Sequence, residues 1–344
     1  MLEKPEIPDS AIAACMHTNY GLQVTGVDFL PLGADASTAV YRLTTRGAGD
    51  YFLKLRRGAF EKASVLLPHF LHQQGIEQIV PPLPTKDRAL WAQLKEYTCI
   101  LYPFIEGRSG FEIKLTGAQW RLFGDSLRRV HSVVLPPELR SLIATESFTS
   151  HWREQLTHFQ EMVVHQTFDN PAASRLAAFM REHREEIGHL VKRASQLAAS
   201  LRSQPPQPVL CHTDIHAGNL LLTPRGDLYI VDWDQPLLAP RERDLMFIGA
   251  GIGDTWNTPR EERLFYQGYG PAEVDLTALT YYRFERIVQD LAEFCKEILL
   301  GTVGPADQEQ GLRFFTSQFA PGSVIDLALQ TDERLKKFSS TGAA

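Results

Sequence analysis

The sequence is poor in cysteine. Its four cysteines, Cys15, Cys99, Cys211 and Cys295, stand far apart in 344 residues, with no Cys-x-x-Cys pair. That excludes a disulfide framework and a zinc site of paired thiolates, and it suits a reducing, cytoplasmic compartment. Long hydrophobic runs are missing too, since nothing approaches the ~18 apolar residues of a membrane helix. The opening Met-Leu-Glu-Lys-Pro-Glu has neither the basic segment nor the apolar core of a secretory leader. Basic charge is short: 35 Lys and Arg face 41 Asp and Glu, a net charge of −6. A nucleic-acid binder would carry a basic stripe instead, whereas a mild negative charge is compatible with a cationic partner. No Gly-x-x-x-x-Gly-Lys-Ser/Thr stretch occurs, so the P-loop route to phosphate binding is closed. Internal repeats and low-complexity segments are absent as well.

What is present is ordinary globular composition, 44% apolar and 22% charged, long enough for about two lobes. The first hundred residues read as strand-rich. Val24–Leu32 and Ala39–Thr45 flank a turn of small residues, and in Tyr51–Arg56 side chains alternate, Phe52 and Lys54 sharing one face. A helix is expected over about Phe60–Gln74, stopped by Gly75. Tyr97–Ile105 reads as a buried strand whose pairing Pro103 ends. Beyond residue 107 the pattern turns helical, over Leu115–Val134, 150–166, 172–203 and 278–300, interrupted by two short strands, Leu220–Leu222 and Leu228–Val231.

The densest polar cluster is Cys211-His212-Thr213-Asp214-Ile215-His216-Ala217-Gly218-Asn219, and Val231-Asp232-Trp233-Asp234 follows on the second strand of a hairpin. Phosphoryl transfer needs these groups. Asp214 can accept the proton of an attacking hydroxyl, and Asn219 with Asp232 can hold Mg²⁺ against the phosphates. Upstream, Lys54 stands where a strand lysine clasps the α- and β-phosphates. Glu61, on the helix that follows, is its expected ion-pair partner. Ser37, in the small-residue turn, is expected over the phosphates, Phe52 beside the adenine, and Leu221 beneath it. Pro103 cannot donate a hydrogen bond, so the N–H facing adenine is expected from Phe104 or Ile105.

Together these motifs resemble the aminoglycoside phosphotransferase family, a branch of the kinase-like fold that also contains choline kinases. The resemblance runs along nearly the whole chain and implies an α+β, two-lobed fold. A β-rich lobe over residues 1–106 would bind nucleotide, and a larger helical lobe over 107–344 would carry the catalytic loop, metal site and substrate pocket. It implies ATP (or GTP) and Mg²⁺ as cofactors, and phosphorylation of a hydroxyl on a small cationic aminocyclitol or aminoglycoside. The alternatives are a choline- or homoserine-type metabolite kinase and a nucleotide-binding scaffold without activity. The family roles carry onto Asp214, Asn219, Asp232 and Lys54. Asp244 is expected to brace the catalytic loop through backbone N–H groups, and His212 and His216 to be structural.

The sequence departs from protein kinases. Only Gly33 of the glycine-rich loop is present, Asp-Phe-Gly is replaced by Asp232-Trp233-Asp234, and no Ala-Pro-Glu segment follows. Gly249-Ala250-Gly251-Ile252-Gly253 fails as a dinucleotide fingerprint because Asp254 stands where the third glycine belongs. A substrate bearing ammonium groups calls for carboxylates, and Asp35, Asp234, Asp254, Glu285 and Asp290 are the candidates, with Trp256 as a ring wall.

Overall fold

Alternating apolar residues in the first hundred positions build an antiparallel sheet. In the computed structural model, which describes residues 4–31, 38–47, 49–58, 60–250 and 255–341, its strands are β1 (Val24–Leu30), β2 (Thr38–Thr45), β3 (Asp50–Arg57), β4 (Ala92–Leu94) and β5 (Tyr97–Pro103), in the order β1-β2-β3-β5-β4. Val40 and Ile100 flank Lys54 on the neighbouring strands. Tyr41, Leu43, Leu53, Leu55, Cys99 and Leu101 form one face and pack on Ile12 and Met16 of α1 (Asp9–Tyr20). The opposite face carries Phe52, Lys54 and Ile100, with Ile100 packed on Val65 of α2 (Ala63–Gln73). The alternation read from Tyr51–Arg56 is therefore the real division of the sheet's faces.

The fold is α+β, as expected, and the chain divides into two compact units. The first unit comprises 1–144 and 218–237. It adds β6 (Arg108–Ser109), α3 (Gly117–Ser132), α4 (Pro137–Arg140) and the hairpin β9 (Leu220–Leu222) and β10 (Leu228–Ile230), in a sheet ordered β10-β9-β6. The hairpin is tied in by a bridge from Ile230 to Ile79 and by the Ile230 N–H donating to the Gln78 carbonyl at 2.7 Å. This partition departs from the expected boundary at 106/107, because α3 packs on β10 within the first unit.

The second unit comprises 145–217 and 238–344. Its long axis is α10 (Leu276–Leu299), with Ala278, Phe284, Val288, Leu291 and Cys295 fully buried at helical spacing. Against α10 pack α5 (His151–His165), α6 (Pro171–Glu182), α7 (Arg184–Ser203), α8 (Glu242–Leu245), α11 (Pro305–Ser317) and α12 (Val324–Thr341). A three-stranded sheet in the order β7-β11-β8 joins β7 (Ala144–Thr145), β11 (Leu237–Ala239) and β8 (Val209–Cys211); the chain passes into this unit within β7 and again within β11. Helix starts are chemically marked. Thr258 and Glu261 form a capping box at α9 (Pro259–Tyr269), and Asp275 accepts two backbone N–H groups at the start of α10. Two details differ from the sequence reading. The run 172–203 is two helices broken at His183, and α1 went unread because only Ile12, Cys15 and Met16 of its twelve residues are buried.

Candidate active site

The first unit holds the lysine. Central placement in the five-stranded sheet leaves the Lys54 side chain only 13% exposed. Its ammonium donates to both Asp234 carboxylate oxygens, at 2.7 and 2.8 Å, and to Asp232 Oδ1 at 3.1 Å. Arg56, on the same face of β3, reaches Asp234 at 3.3 Å. The hairpin aims these acids. Trp233 is buried and its indole N–H donates to the Ile230 carbonyl, while the flanking Asp232 and Asp234 both reach Lys54. Asp232 adopts φ of 67°, a left-handed conformation that costs a non-glycine residue about 1–3 kcal/mol and clusters at functional sites. The Val231 N–H donates to the Asn219 carbonyl at 3.0 Å, which ties the two expected metal residues to one another through the hairpin.

The expected adenine residues lie in the same unit. Phe52 stands opposite Tyr102 in the β3–β5 register, their rings edge-on at 6.4 Å. The Phe104 N–H donates to the Asp50 carbonyl, so of the two candidate adenine donors Ile105 is the one whose N–H is not engaged by another described residue. Leu221 is half-buried in β9. A Cβ on Gly107 would come within 2.9 Å of both the Leu221 side chain and the Leu222 carbonyl, so only glycine lets the chain pass this close.

The second unit holds the expected base, Asp214. β8 ends at Cys211, and the His212 and Thr213 N–H groups donate to the two oxygens of buried Asp244, at 2.8 and 2.7 Å. This is the expected brace. Thr213, so braced, adopts φ of 78° just before Asp214. Arg286 of α10 donates to Asp214 Oδ1 at 2.6 Å, and His216 Nε2 stands 3.4 Å from Oδ2. Burial pushes the Asp214 carboxyl up, but His216 and Arg286 outweigh it and hold the group well below the ordinary carboxylate range. Thr213 and Asp232 are thus strained, non-glycine positions next to or at the candidate carboxylates.

A carboxylate kept charged on a braced loop, and a lysine–diacid cluster at a hairpin, are groups of the kind that phosphoryl transfer uses. Residues 28–281 match the model of the phosphotransferase enzyme family APH. The chain belongs to this family. The phosphotransferase is similar to spectinomycin phosphotransferase APH(9)-Ia in complex with ADP and spectinomycin, at a TM-score of 0.89 and 34% identity, over 95% of this chain and 99% of that one. The AMP-bound complex of APH(9)-Ia matches at a TM-score of 0.84 and 34% identity, over 93% and 98%. Protein StrN of Streptomyces griseus is 26% identical over 261 residues, 71% of this chain and 76% of that protein. An aminoglycoside phosphotransferase from Alicyclobacillus acidocaldarius, 14% identical at a TM-score of 0.61 over 97% and 98%, shares the fold.

Several expectations for the phosphotransferase are corrected. Glu61 does not pair with Lys54. It precedes α2, is exposed, and uses its carbonyl to accept from Ser64, while Asp234 takes its place on the lysine. Asp234 is therefore turned to Lys54 rather than left open for substrate. Glu285 is buried against Arg153 at 2.9 Å, a structural pair within the helical core. Asp290 is held by Arg286 at 2.7 Å. Trp256 is 3% exposed and offers no open ring wall. Ser37, Asp35 and Asp254 lie outside the described residues. Sequence reasoning passed over Arg286 and Arg56. For Arg286 a signal existed: it stands four residues before Asp290 on a helix that was read correctly, so both share a face.

Proposed function

We propose that the enzyme uses Mg-ATP to phosphorylate a hydroxyl of a small cationic aminocyclitol, spectinomycin first among them, and so confers resistance to it. The observation that carries this reading is the charged, braced Asp214 in a chain 34% identical to APH(9)-Ia over nearly its full length. The net charge of −6 favours a polycationic acceptor.

Lys54 holds the α- and β-phosphates in this reading, exchanging its Asp232 contact for phosphate oxygens while Asp234 keeps it in place. Ile105 offers its N–H to the adenine edge, and Phe52 covers the ring. The Asn219 amide and the Asp232 carboxylate are hard oxygen donors, the kind Mg²⁺ takes, and the ammonium on Asp232 marks it as a cation's partner. Mg²⁺, when bound by them, neutralises charge on the transferred phosphoryl group. Four residues separate Asp214 from Asn219, so one loop carries both base and metal ligand. Asp214 orients the acceptor hydroxyl and takes its proton at Oδ2, which keeps a lone pair for it: Arg286 bonds Oδ1 tightly at 2.6 Å, whereas His216 Nε2 stands at 3.4 Å from Oδ2. So acidic a carboxyl is a weak base. That suits a loose transition state in which the proton leaves late and positioning does most of the work. Cytoplasmic ATP supplies the donor, and four buried, unpaired thiols agree with that compartment.

ADP release from Mg-ATP, followed across spectinomycin, several aminoglycosides, choline and homoserine, tests the proposal. Saturable turnover with spectinomycin alone is expected. Turnover confined to choline or homoserine would keep the chemistry and discard the antibiotic.

A further inference from the structure

On α10, Arg286 and Asp290 are one turn apart, and Arg286 bonds in two directions from that position. Nη1 donates to Asp214 Oδ1 at 2.6 Å, and Nε donates to Asp290 Oδ1 at 2.7 Å. The guanidinium lies 5.4 Å over the Phe247 ring, and the His216 ring meets the same phenylalanine edge-on at 6.1 Å. Arg286 and His216, which both touch the Asp214 carboxylate, thus meet one aromatic side chain. The charged and titratable groups around Asp214 include His216 from its own loop, and Arg286, Asp290 and Glu293 from α10. Only Arg286 among them is a permanent cation. A planar guanidinium holds two carboxylates at angles fixed by its fork, whereas a lysine ammonium can touch two but orients neither.

We propose that Arg286 is a positioning residue of the phosphotransferase: anchored through Nε by Asp290, it fixes the rotation of the Asp214 carboxylate and keeps it ionised, presenting Oδ2 to the acceptor hydroxyl. The inference rests on the reading of Asp214 as the group that meets the hydroxyl. It also gives Asp290 a task different from the one first expected. Asp290 orients the arginine and does not bind the substrate's ammonium groups. Burial pushes the Asp290 carboxyl up while Arg286 opposes it, as expected for an acid whose one cation is shared.

The test pairs ¹³C NMR titration of aspartate carboxyls in ligand-free protein, Asp214 being assigned by its loss in Asp214→Asn, with the pH dependence of kcat. Wild-type Asp214 is expected to titrate below the ordinary value of about 3.9. In Arg286→Met its proton affinity rises about tenfold or more, and kcat falls roughly 10- to 100-fold, the scale of a misplaced catalytic group, with KM for ATP unchanged. Arg286→Lys restores the titration but recovers kcat only in part. Asp290→Asn lowers kcat with a smaller change in titration. A folded Arg286→Met with wild-type titration and wild-type kcat would overturn the inference. So would equal losses of kcat in the Met and Lys variants with the Asp214 titration unmoved, because that is what a purely structural role gives. A wild type silent towards every acceptor, in which Arg286→Met still moves the Asp214 titration, upholds the Arg286 contact and sinks the acceptor reading instead.

Discussion

In the proposed reaction the carboxylate that meets the incoming hydroxyl has to be charged and still at once. Asp214 has neighbours that do both: Asp244 holds the backbone before it, and Arg286 and His216 contact its two oxygens. Replacing it with asparagine keeps size and shape and removes the proton acceptor. Asp214→Asn is expected to lower kcat by about 10²- to 10⁴-fold with nucleotide affinity preserved, read from initial rates and from calorimetric titration with ADP. Full turnover would mean another group takes the proton. Asp232→Ala tests the other half, since it should remove the Mg-dependent part of nucleotide affinity; unchanged Mg-ATP binding would sink the metal assignment. As candidates these residues stood out in the sequence because the chemistry fixes their spacing along one loop and one hairpin. The acids on helices were not. Glu285 and Asp290 look alike in sequence, two acids on α10, and only packing reveals that one faces Arg153 and the other Arg286. Glu61 failed for the same reason: nothing local says that Asp234, 180 residues from Lys54, reaches the ammonium first.

At the level of the element, α10 shows what periodicity can and cannot convey. Its apolar spacing announced the helix, and Asp275 sets its start. The polar residues on its buried side carry the less legible information. Glu285 lies among buried rings and backbone, bonded to Arg153, which also donates to the carbonyls of Phe148 and Ala194. Burial raises the Glu285 pKa from 4.5 to about 7, against the pull of Arg153. The folded protein thus keeps a proton that the unfolded chain has released across that window. Unfolding there releases a proton, so the contribution of Glu285 to stability is full below pH 4.5 and is lost as pH rises towards 7. Glu285→Gln preserves the hydrogen bond from Arg153 and removes the titration. Urea-unfolding midpoints at several pH values across the window should fall with rising pH more steeply in wild type than in the variant. Parallel curves would mean that the pair stays ionised throughout. The same limit on periodicity explains α1. With so few buried residues its spacing is faint, although Gly21 at φ of 76° ends it cleanly.

Across the whole molecule the chain order conceals the architecture. Length left room for two lobes, and the family resemblance implied an α+β pair of them, nucleotide residues first and catalytic loop second. The true partition returns 218–237 to the first unit, far along the chain from the rest of it. No local pattern signals this, because β9 and β10 are three residues each and their partners, β6 and the Ile79 segment, lie more than a hundred residues upstream. The consequence is energetic. Leu220, Leu222, Leu228 and Ile230 are all buried. At about 1.5–3 kcal/mol for each such side chain, the hairpin contributes roughly 6–12 kcal/mol, as large as the whole net stability of a typical domain, about 5–15 kcal/mol. A fragment of residues 1–144 should therefore lack a cooperative melting transition, even though it contains the entire five-stranded sheet. Joining 218–237 to its end through a flexible Gly-Ser linker should restore one. Circular dichroism melts of the two fragments decide the point. A cooperative transition in 1–144 at the temperature of the joined fragment would show that the sheet and α1 suffice, and that the hairpin serves only to bring Asn219 and Asp232 to the lysine's side of the unit.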